Sequence, residues 1–556
     1  MSSGEKKYSF YPQHMHIHSI YEPFASMEGH IRHARDLGMK YIWFTDHDIR
    51  MGRKSWEFDG FDFEEGLTVT RGNATYGFKE GRVDEACSVS WSEGDAYRGR
   101  GAMRLSAADG VAEAVMFTYK KAHCRALLSE LKLGLAYKIA SSDPENTRFI
   151  VDVTLSQRPP EDMPAHLLFV SGYTDGLLDT PHTHAVEIPA SEEWRCGVFD
   201  LSAEAITEAA TAHGIGGLDN GFSALQIRVE ARSGATVSAW VDELTKSALL
   251  DAQETYERQK EVAKEVGAKY GVTPFVATEI SLAGMHKNYF SDEIELIPYE
   301  ARNYKVKHEE ACEELRRIGA VFAINHPFSQ VDYSDISLLN LDAEVEKLAE
   351  SFIEKECFGA SLMEVGFPKG RYLPLWCHLK LWDRLSAAGV LVTGYGSSDA
   401  HANDCGWYSG NNFTNWIGVD SDIEAPTASD FAEAMRCGRL YTGNPTKIKG
   451  EVVFDAECGA VMGEIVPSSS EERVRFRMDC ARRGWRVIWI VNGEVERECT
   501  LEDGSFYGEL TVTPLCELDF VRVEIYDEGG KCLLLTNPIY FSRKANDKLP
   551  MRRIKK

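Results

Sequence analysis

The string His16-Ile17-His18-Ser19 opens the chain and Ser398-Asp399-Ala400-His401 comes late in it. Between them stand Thr45-Asp46-His47, Glu279, His286 and Asn325-His326-Pro327. These strings are rich in imidazoles and carboxylates, the donors that divalent metals take. They can serve one centre only if the fold gathers segments from across the chain, as the carboxyl ends of parallel strands are gathered in an α/β barrel. This demand for convergence constrains the fold more than composition does.

In a strand, residues i and i+2 point to the same side, so His16 and His18 can present two imidazoles to one ion, and Asp399 with His401 repeats the spacing. The spacing alone is weak. His182-Thr183-His184 has it too, and its neighbours supply no comparable companions, so that pair is expected to be structural. Glu279 closes the apolar run PFVATEI, where a carboxylate buried without a cation would be costly.

With Lys+Arg 61 against Asp+Glu 86, the net charge of -25 argues against nucleic acid or an anionic membrane as partner. No run approaches the roughly 18 to 20 apolar residues of a membrane span, and the start MSSGEKKYSFYPQ lacks a secretory hydrophobic core, so a cytoplasmic location is expected. Thirteen cysteines without CxxC pairs read as unpaired thiols.

Residues 8–57 read as strand, helix, strand, with histidines at the strand ends. From 58 to 245 short β-type runs follow one another between Gly, Asp, Asn and Ser clusters, predicting an inserted β-sandwich of jelly-roll type. It resembles carbohydrate-binding modules through its late Trp240-Val241-Asp242 strand. A helix over about 249–270 and renewed α/β alternation to 446 predict that residues 1–57 and 246–446 form one discontinuous barrel. The β pattern of 447–556, with its Asn492-Gly493 hairpin signal, predicts an immunoglobulin-like β-sandwich.

HxHS, TDH, a strand-end Glu, a histidine-proline strand end and SDAH, in this order, resemble the strings of the polymerase-and-histidinol-phosphatase (PHP) superfamily of metallohydrolases. CGRLYTGNP followed by a β domain closing in TNPIYF is similar to its CehA/McbA-like branch. The likeness covers residues 8–57 and 271–446, and more faintly the last domain. It implies an α/β fold with a distorted (β/α)7 barrel, TIM-like in outline. It also implies that His16, His18, Glu279 and Asp399 hold one divalent metal and that Glu279 bridges to a second on His286 and His326. His308 competes with His286 for that role. His47 and His401 match positions that hold a third metal in some members. Since no histidine follows HxH until His30, two ions (Zn, Mn or Fe) are expected, leaving His47 and His401 for substrate or proton transfer and Asp46 to orient them.

The function so implied is a metal-dependent hydrolase using a metal-bridging hydroxide, with phosphoesterase as the leading class and carboxylic ester or carbamate hydrolysis as the alternative. A third reading is a catalytically inactive glycan-binding or scaffold protein, suggested by Trp91, Trp194 and Trp240 in the insert. Arg50, Lys287 and Arg371 lie near the motif strings as candidates to receive an anionic group. The expected partner is a small-molecule or glycan-linked ester, with homo-oligomerisation left open. The insert leaves after TDH and returns before Glu279, so it is expected to wall the site or to make a subunit contact.

Overall fold

The computed structural model describes residues 8–19, 27–48, 51, 60–71, 74–117, 130–155, 166–177, 183–201, 222–248, 250–281, 285–296, 308–329, 340–366, 373–401, 413–468, 470–543, 549–550 and 553–555. Strands make up 48% of the chain and helices 19%, too little helix for a barrel with one helix per strand to dominate the molecule.

The metal-string segments fall into two sheets. In the first, Thr273–Val276, Tyr41–Phe44 and Tyr8–Ile17 run parallel, and Thr414–Asp420 and Leu440–Gly443 continue the sheet antiparallel. In the second, Thr278–Ile280, Lys287–Phe290 and Val321–Ile324 are antiparallel, followed by parallel Leu362–Gly366 and Thr393–Gly396. Tyr41–Phe44 is buried along its whole length, as a strand covered on both faces should be. Helices pack around these sheets. The longest, Ala252–Tyr270, begins in a capping box of Asp251 and Glu254 and ends at Gly271, whose φ of 67° the missing Cβ permits.

This arrangement corrects the expectation of a distorted (β/α)7 barrel, and of any TIM-like barrel: the two sheets do not close into one. At the seams the backbone contacts between them include the isolated bridges Ile17↔Ala400 and His47↔Glu279. The physical reason lies at the free edge of Thr393–Gly396. Asn415 accepts from Gly396 N and donates to Gly396 O, both at 2.8 Å. Asn537 does the same for Gly394, at 2.9 and 2.8 Å. Side-chain amides thus satisfy an edge that a neighbouring strand would satisfy in a closed barrel. The approach is tight, since a Cβ on Gly396 would lie 2.2 Å from Thr442 Oγ1.

The insert spans its strands from Gly60 to Ala248, in two antiparallel-dominated sheets whose strands, among the described residues, pair with one another. One sheet turns Phe149, Val151, Val153, Leu225, Ile227 and Val229 inward. The other turns Leu133, Leu135, Tyr137, Val237, Ala239 and Val241 against them, and the period-2 alternation builds one core.

At the end of the chain, where a β-sandwich was expected, Cys532–Thr536 pairs with Leu440–Gly443 and carries the first sheet on through Leu518–Tyr526, Arg486–Val491 and Glu494–Thr500. A three-stranded sheet of Val452–Ala456, Glu472–Ala481 and Gly504–Val512 covers it, and Trp416 and Tyr441 share their core. Arg522, buried, forks onto Asp383 at 2.8 and 2.7 Å and so fastens this extension to the helix Leu375–Ala387. Among the described residues, no helix is long and apolar enough to cross a membrane.

Replacing Asn415 by Ala leaves the amide and carbonyl of Gly396 unsatisfied in a buried seam. The expected cost is about 2–4 kcal/mol, read as a lowered urea midpoint, and an unchanged midpoint would contradict the capping role.

Candidate metal centre

The two seams bring the strings together. His16 lies at the end of the strand Tyr8–Ile17, with His18 two residues on, and both are fully buried. His47 follows Tyr41–Phe44 and bridges to Glu279, the central residue of Thr278–Ile280. His286 precedes Lys287–Phe290, His326 follows Val321–Ile324, and Asp399 and His401 follow Thr393–Gly396. His326 and Asp399 have φ values of 29° and 50°. These are conformations that non-glycine residues rarely adopt, so surrounding contacts must hold them.

Three groups of donor atoms converge: His16, His18, Glu279 and Asp399; His47, Glu279 and His286; and His18, His47 and His401. In each, the atoms lie within 4.8 Å of one another. Glu279 is common to the first two, as a bridging carboxylate would be. The first group matches the expected ligand set. The second places His47 where His326 was expected. His326 stays close, with Nε2 3.5 Å from Glu279 Oε1. His308 lies elsewhere, in the helix His308–Arg317, its ring against Phe358 and its Nε2 3.9 Å from Cys312 Sγ.

The surroundings fix protons as well as positions. His16 Nδ1 donates to Glu364 Oε1 at 2.6 Å, which leaves the neutral ring with a lone pair on Nε2. That nitrogen is 3.3 Å from Glu279 Oε1 and 3.3 Å from Asp399 Oδ1. His16 Nε2 and Glu279 Oε2 are both buried and make no hydrogen bond of good geometry. An imidazole nitrogen and two carboxylates converging at this depth suit a positive charge between them, so the residues present fit a divalent metal.

The acidities agree. Burial opposes a charge on His16, but Glu279, Asp399 and Glu364 outweigh it and hold the imidazole well above its ordinary value. Burial also works against the Glu279 carboxylate, yet His286, His47 and His16 keep it well below the usual range. Burial lowers His47 to about 4, and burial with the neighbouring His401 and His47 lowers His18 as well. The carboxylates around His16 thus favour a positive charge at this point, which a divalent cation would also supply.

Outer contacts hold the donors. Asn325 Nδ2 donates to Glu279 Oε1 at 2.8 Å. Tyr395 OH lies 2.9 Å from Asn325 Oδ1 and 3.1 Å from Glu364 Oε1. Asp46 points away from the donor groups: Oδ1 accepts from Ser19 N at 2.7 Å and Oδ2 accepts from Gln259 of the helix Ala252–Tyr270. Burial raises Asp46 to about 6. It therefore acts as a brace between Ser19 and the helix Ala252–Tyr270, where an orienting role toward His47 and His401 was expected. His30 donates to the His18 carbonyl at 3.0 Å and joins none of the groups.

Glu364 escaped the sequence reading. Its signal was a lone carboxylate inside the apolar strand Leu362–Gly366, where burial demands a partner. Arg50, Arg371 and His182 lie outside the described residues. Lys287 pairs with Ile280 while its neighbour Asn288 pairs with Glu279, so strand alternation turns Lys287 to the other face. There it is buried, donates to Met285 O at 2.6 Å and is lowered by burial to about 8. His184 sits in the strand Thr183–Glu187 of the insert and, among the described residues, joins no donor group.

No family model matches the chain, and no curated protein matches it. Among solved structures, it is similar to the CBM22-1 xylan-binding domain of Paenibacillus barcinonensis Xyn10C at 11% identity, over 34% of this chain and 92% of that one, with a TM-score of 0.18. It is likewise similar to a family 30 carbohydrate-binding module of a Clostridium thermocellum cellulosomal cellulase (11%, 33% and 97%, 0.20). A Bacillus licheniformis family 12 xyloglucanase is comparable (8%, 33% and 96%, 0.23). Scores this low carry no functional argument. Neither the site nor these likenesses supports the expected phosphoesterase class over another hydrolytic one.

Two outcomes are expected. Glu364→Gln should weaken metal retention by about 10–100-fold in chelator competition, with unchanged affinity as the contrary result. The raised His16 supplies stability to the metal-free chain that is full below 6.5 and lost as pH rises through its folded value, because it keeps a proton the unfolded residue would release. Metal uptake at neutral pH should expel about one proton, seen as a buffer-dependent calorimetric enthalpy. A buffer-independent enthalpy would contradict it.

Proposed function

We propose that the chain is a metal-dependent hydrolase acting on an ester. The observation that carries this reading is the buried convergence of His16 Nε2, Glu279 and Asp399, with Glu279 shared by the neighbouring group of His47 and His286. His16, His18, Glu279 and Asp399 would hold one divalent cation, and His47, Glu279 and His286 a second. Bound there, such a pair supplies Lewis-acid polarisation and a hydroxide nucleophile at neutral pH. Histidine-rich ligation favours Zn, Mn or Fe over Mg.

The chain's own residues supply the rest. Glu364, Asn325 and Tyr395 keep His16 and Glu279 in register, so the donor set is preorganised before substrate arrives. His401 is 40% exposed while the other donors lie deeper, and its ring is 4.2 Å from that of His18. An imidazole at the mouth of the cluster is placed to hand a proton to a leaving alkoxide. Its Nδ1 lies 2.7 Å from the Asp399 carbonyl, which holds the ring in place.

The ester's acid component is left to experiment, because Lys287 faces away from the cluster and Arg50 and Arg371 lie outside the described residues. The test is turnover of p-nitrophenyl acetate and p-nitrophenyl phosphate by metal-loaded protein. At least one ester should be hydrolysed, chelator should abolish turnover, and Glu279→Gln should lower kcat by about a hundredfold or more. Turnover of neither ester, or turnover indifferent to chelator and to Glu279→Gln, would overturn the reading.

A further inference from the structure

The outer face of the insert's smaller sheet carries a second concentration of chemistry, remote in sequence from the metal strings. The strand Thr236–Ala248 lies between Gly101–Ala108 and Leu131–Ser141, and Ser88–Glu93 flanks the former. Because Val237, Ala239 and Val241 point into the core, Ser238 and Trp240 point out. The register sets Trp240 beside Arg104 on one side and Lys138 on the other, and Ser238 beside Ser106. Ser90 extends the first row, next to Arg104.

The side chains form a cleft of about 520 Å³, lined by Arg104, Lys138, Glu192, Ser238 and Trp240 among others. The Lys138 ammonium lies 4.4 Å from the Trp240 ring centre and 5.4 Å from that of Trp194, and the Arg104 guanidinium lies 5.0 Å from Trp240. Tyr97 is 46% exposed, and its ring is 6.0 Å from Trp194, so a pair of aromatic rings borders the cations. Lys138 pairs with Asp95 at 2.6 Å. Arg104 reaches Ser238 Oγ at 3.4 Å and has no carboxylate partner among the described residues. The Trp240 indole N–H is buried without a hydrogen-bond acceptor among them, although a buried indole normally finds one.

We propose that this face binds an acidic oligosaccharide, one that carries isolated uronate carboxylates. Aromatic planes suit the C–H faces of pyranose rings, and the Ser90, Ser106 and Ser238 hydroxyls suit sugar hydroxyls. Arg104 and Lys138 flank the position of a carboxylate, and an oxygen entering between these flexible side chains supplies the acceptor that Trp240 lacks. The charge spacing follows from the rim. Glu192 and Asp95, on a chain of net charge -25, repel a dense polyanion such as nucleic acid, but they accept hydrogen bonds from the hydroxyls of a sparsely charged glycan. The inference does not rest on the hydrolase reading, since binding here needs no metal.

The test is titration calorimetry of the full chain, with and without chelator, using a hyaluronan tetrasaccharide, which has one carboxylate per two sugars, and its carboxyl-reduced derivative. The acidic probe should bind equally with and without chelator. The reduced derivative, and the variants Arg104→Gln and Lys138→Gln, should each bind about tenfold or more weakly, the size of one charge-assisted hydrogen bond. Trp240→Ala should abolish binding, and the two exposed-side variants keep the test decisive if Trp240→Ala fails to fold. No binding of the acidic probe, equal binding of the reduced derivative, or unchanged binding by both cation variants would overturn the proposal.

Discussion

Two carboxylates meet an imidazole nitrogen in the interior: Glu279 Oε1 and Asp399 Oδ1 each lie 3.3 Å from His16 Nε2. Left so, they repel one another at a depth where charge and unsatisfied polar atoms are costly. A positive charge at this point relieves the conflict: the carboxylates hold His16 well above its ordinary value, and a divalent cation would suit the same place. Much of the local architecture serves to hold the conflict in place. Glu364 fixes the His16 tautomer, and Asn325 and Tyr395 tie Glu279 to Glu364. His326 and Asp399 keep backbone conformations that non-glycine residues avoid, which persist only where the surroundings over-determine them.

The open framework follows from the same constraint. The donors come from the ends of two sheets, so the sheets must face each other across seams narrow enough for His47 to bridge to Glu279 and Ile17 to Ala400. A complete strand ladder is not needed there, because Asn415 and Asn537 satisfy the exposed edge with side-chain amides. Freed from closing the ring, the first sheet continues into the terminal module, and the insert departs right after His47. Its return helix supplies Gln259, which braces Asp46 and Ser19, so the insertion point is built into the support of the site.

His16, His18, Asp399, His401 and Glu279 were legible because their spacing has a physical meaning, i, i+2 on a strand or a carboxylate closing an apolar run, whereas His47, His286 and His326 were expected only through the family resemblance. The insert was legible for a similar reason, its period-2 alternation between turn residues. The closure of the barrel was not, since it depends on whether an edge meets a strand or an amide from far away in sequence, as Asn415 and Asn537 show. Glu364 was overlooked because a single carboxylate in LMEVG forms no string. Lys287 adjoins His286 in sequence, yet strand alternation places the two on different faces, so proximity in sequence misled. The continuous sheet through Leu440–Gly443 and Cys532–Thr536 is a pairing nearly a hundred residues long-range, beyond any local pattern.

The most direct test of the convergence is anomalous diffraction at the zinc edge from crystals grown with zinc. An anomalous peak between His16 Nε2, Glu279 and Asp399, with a second beside His47 and His286, is the predicted result. A map with no anomalous density among these residues, and His16 still paired as an imidazolium with Glu279 and Asp399, would contradict the account.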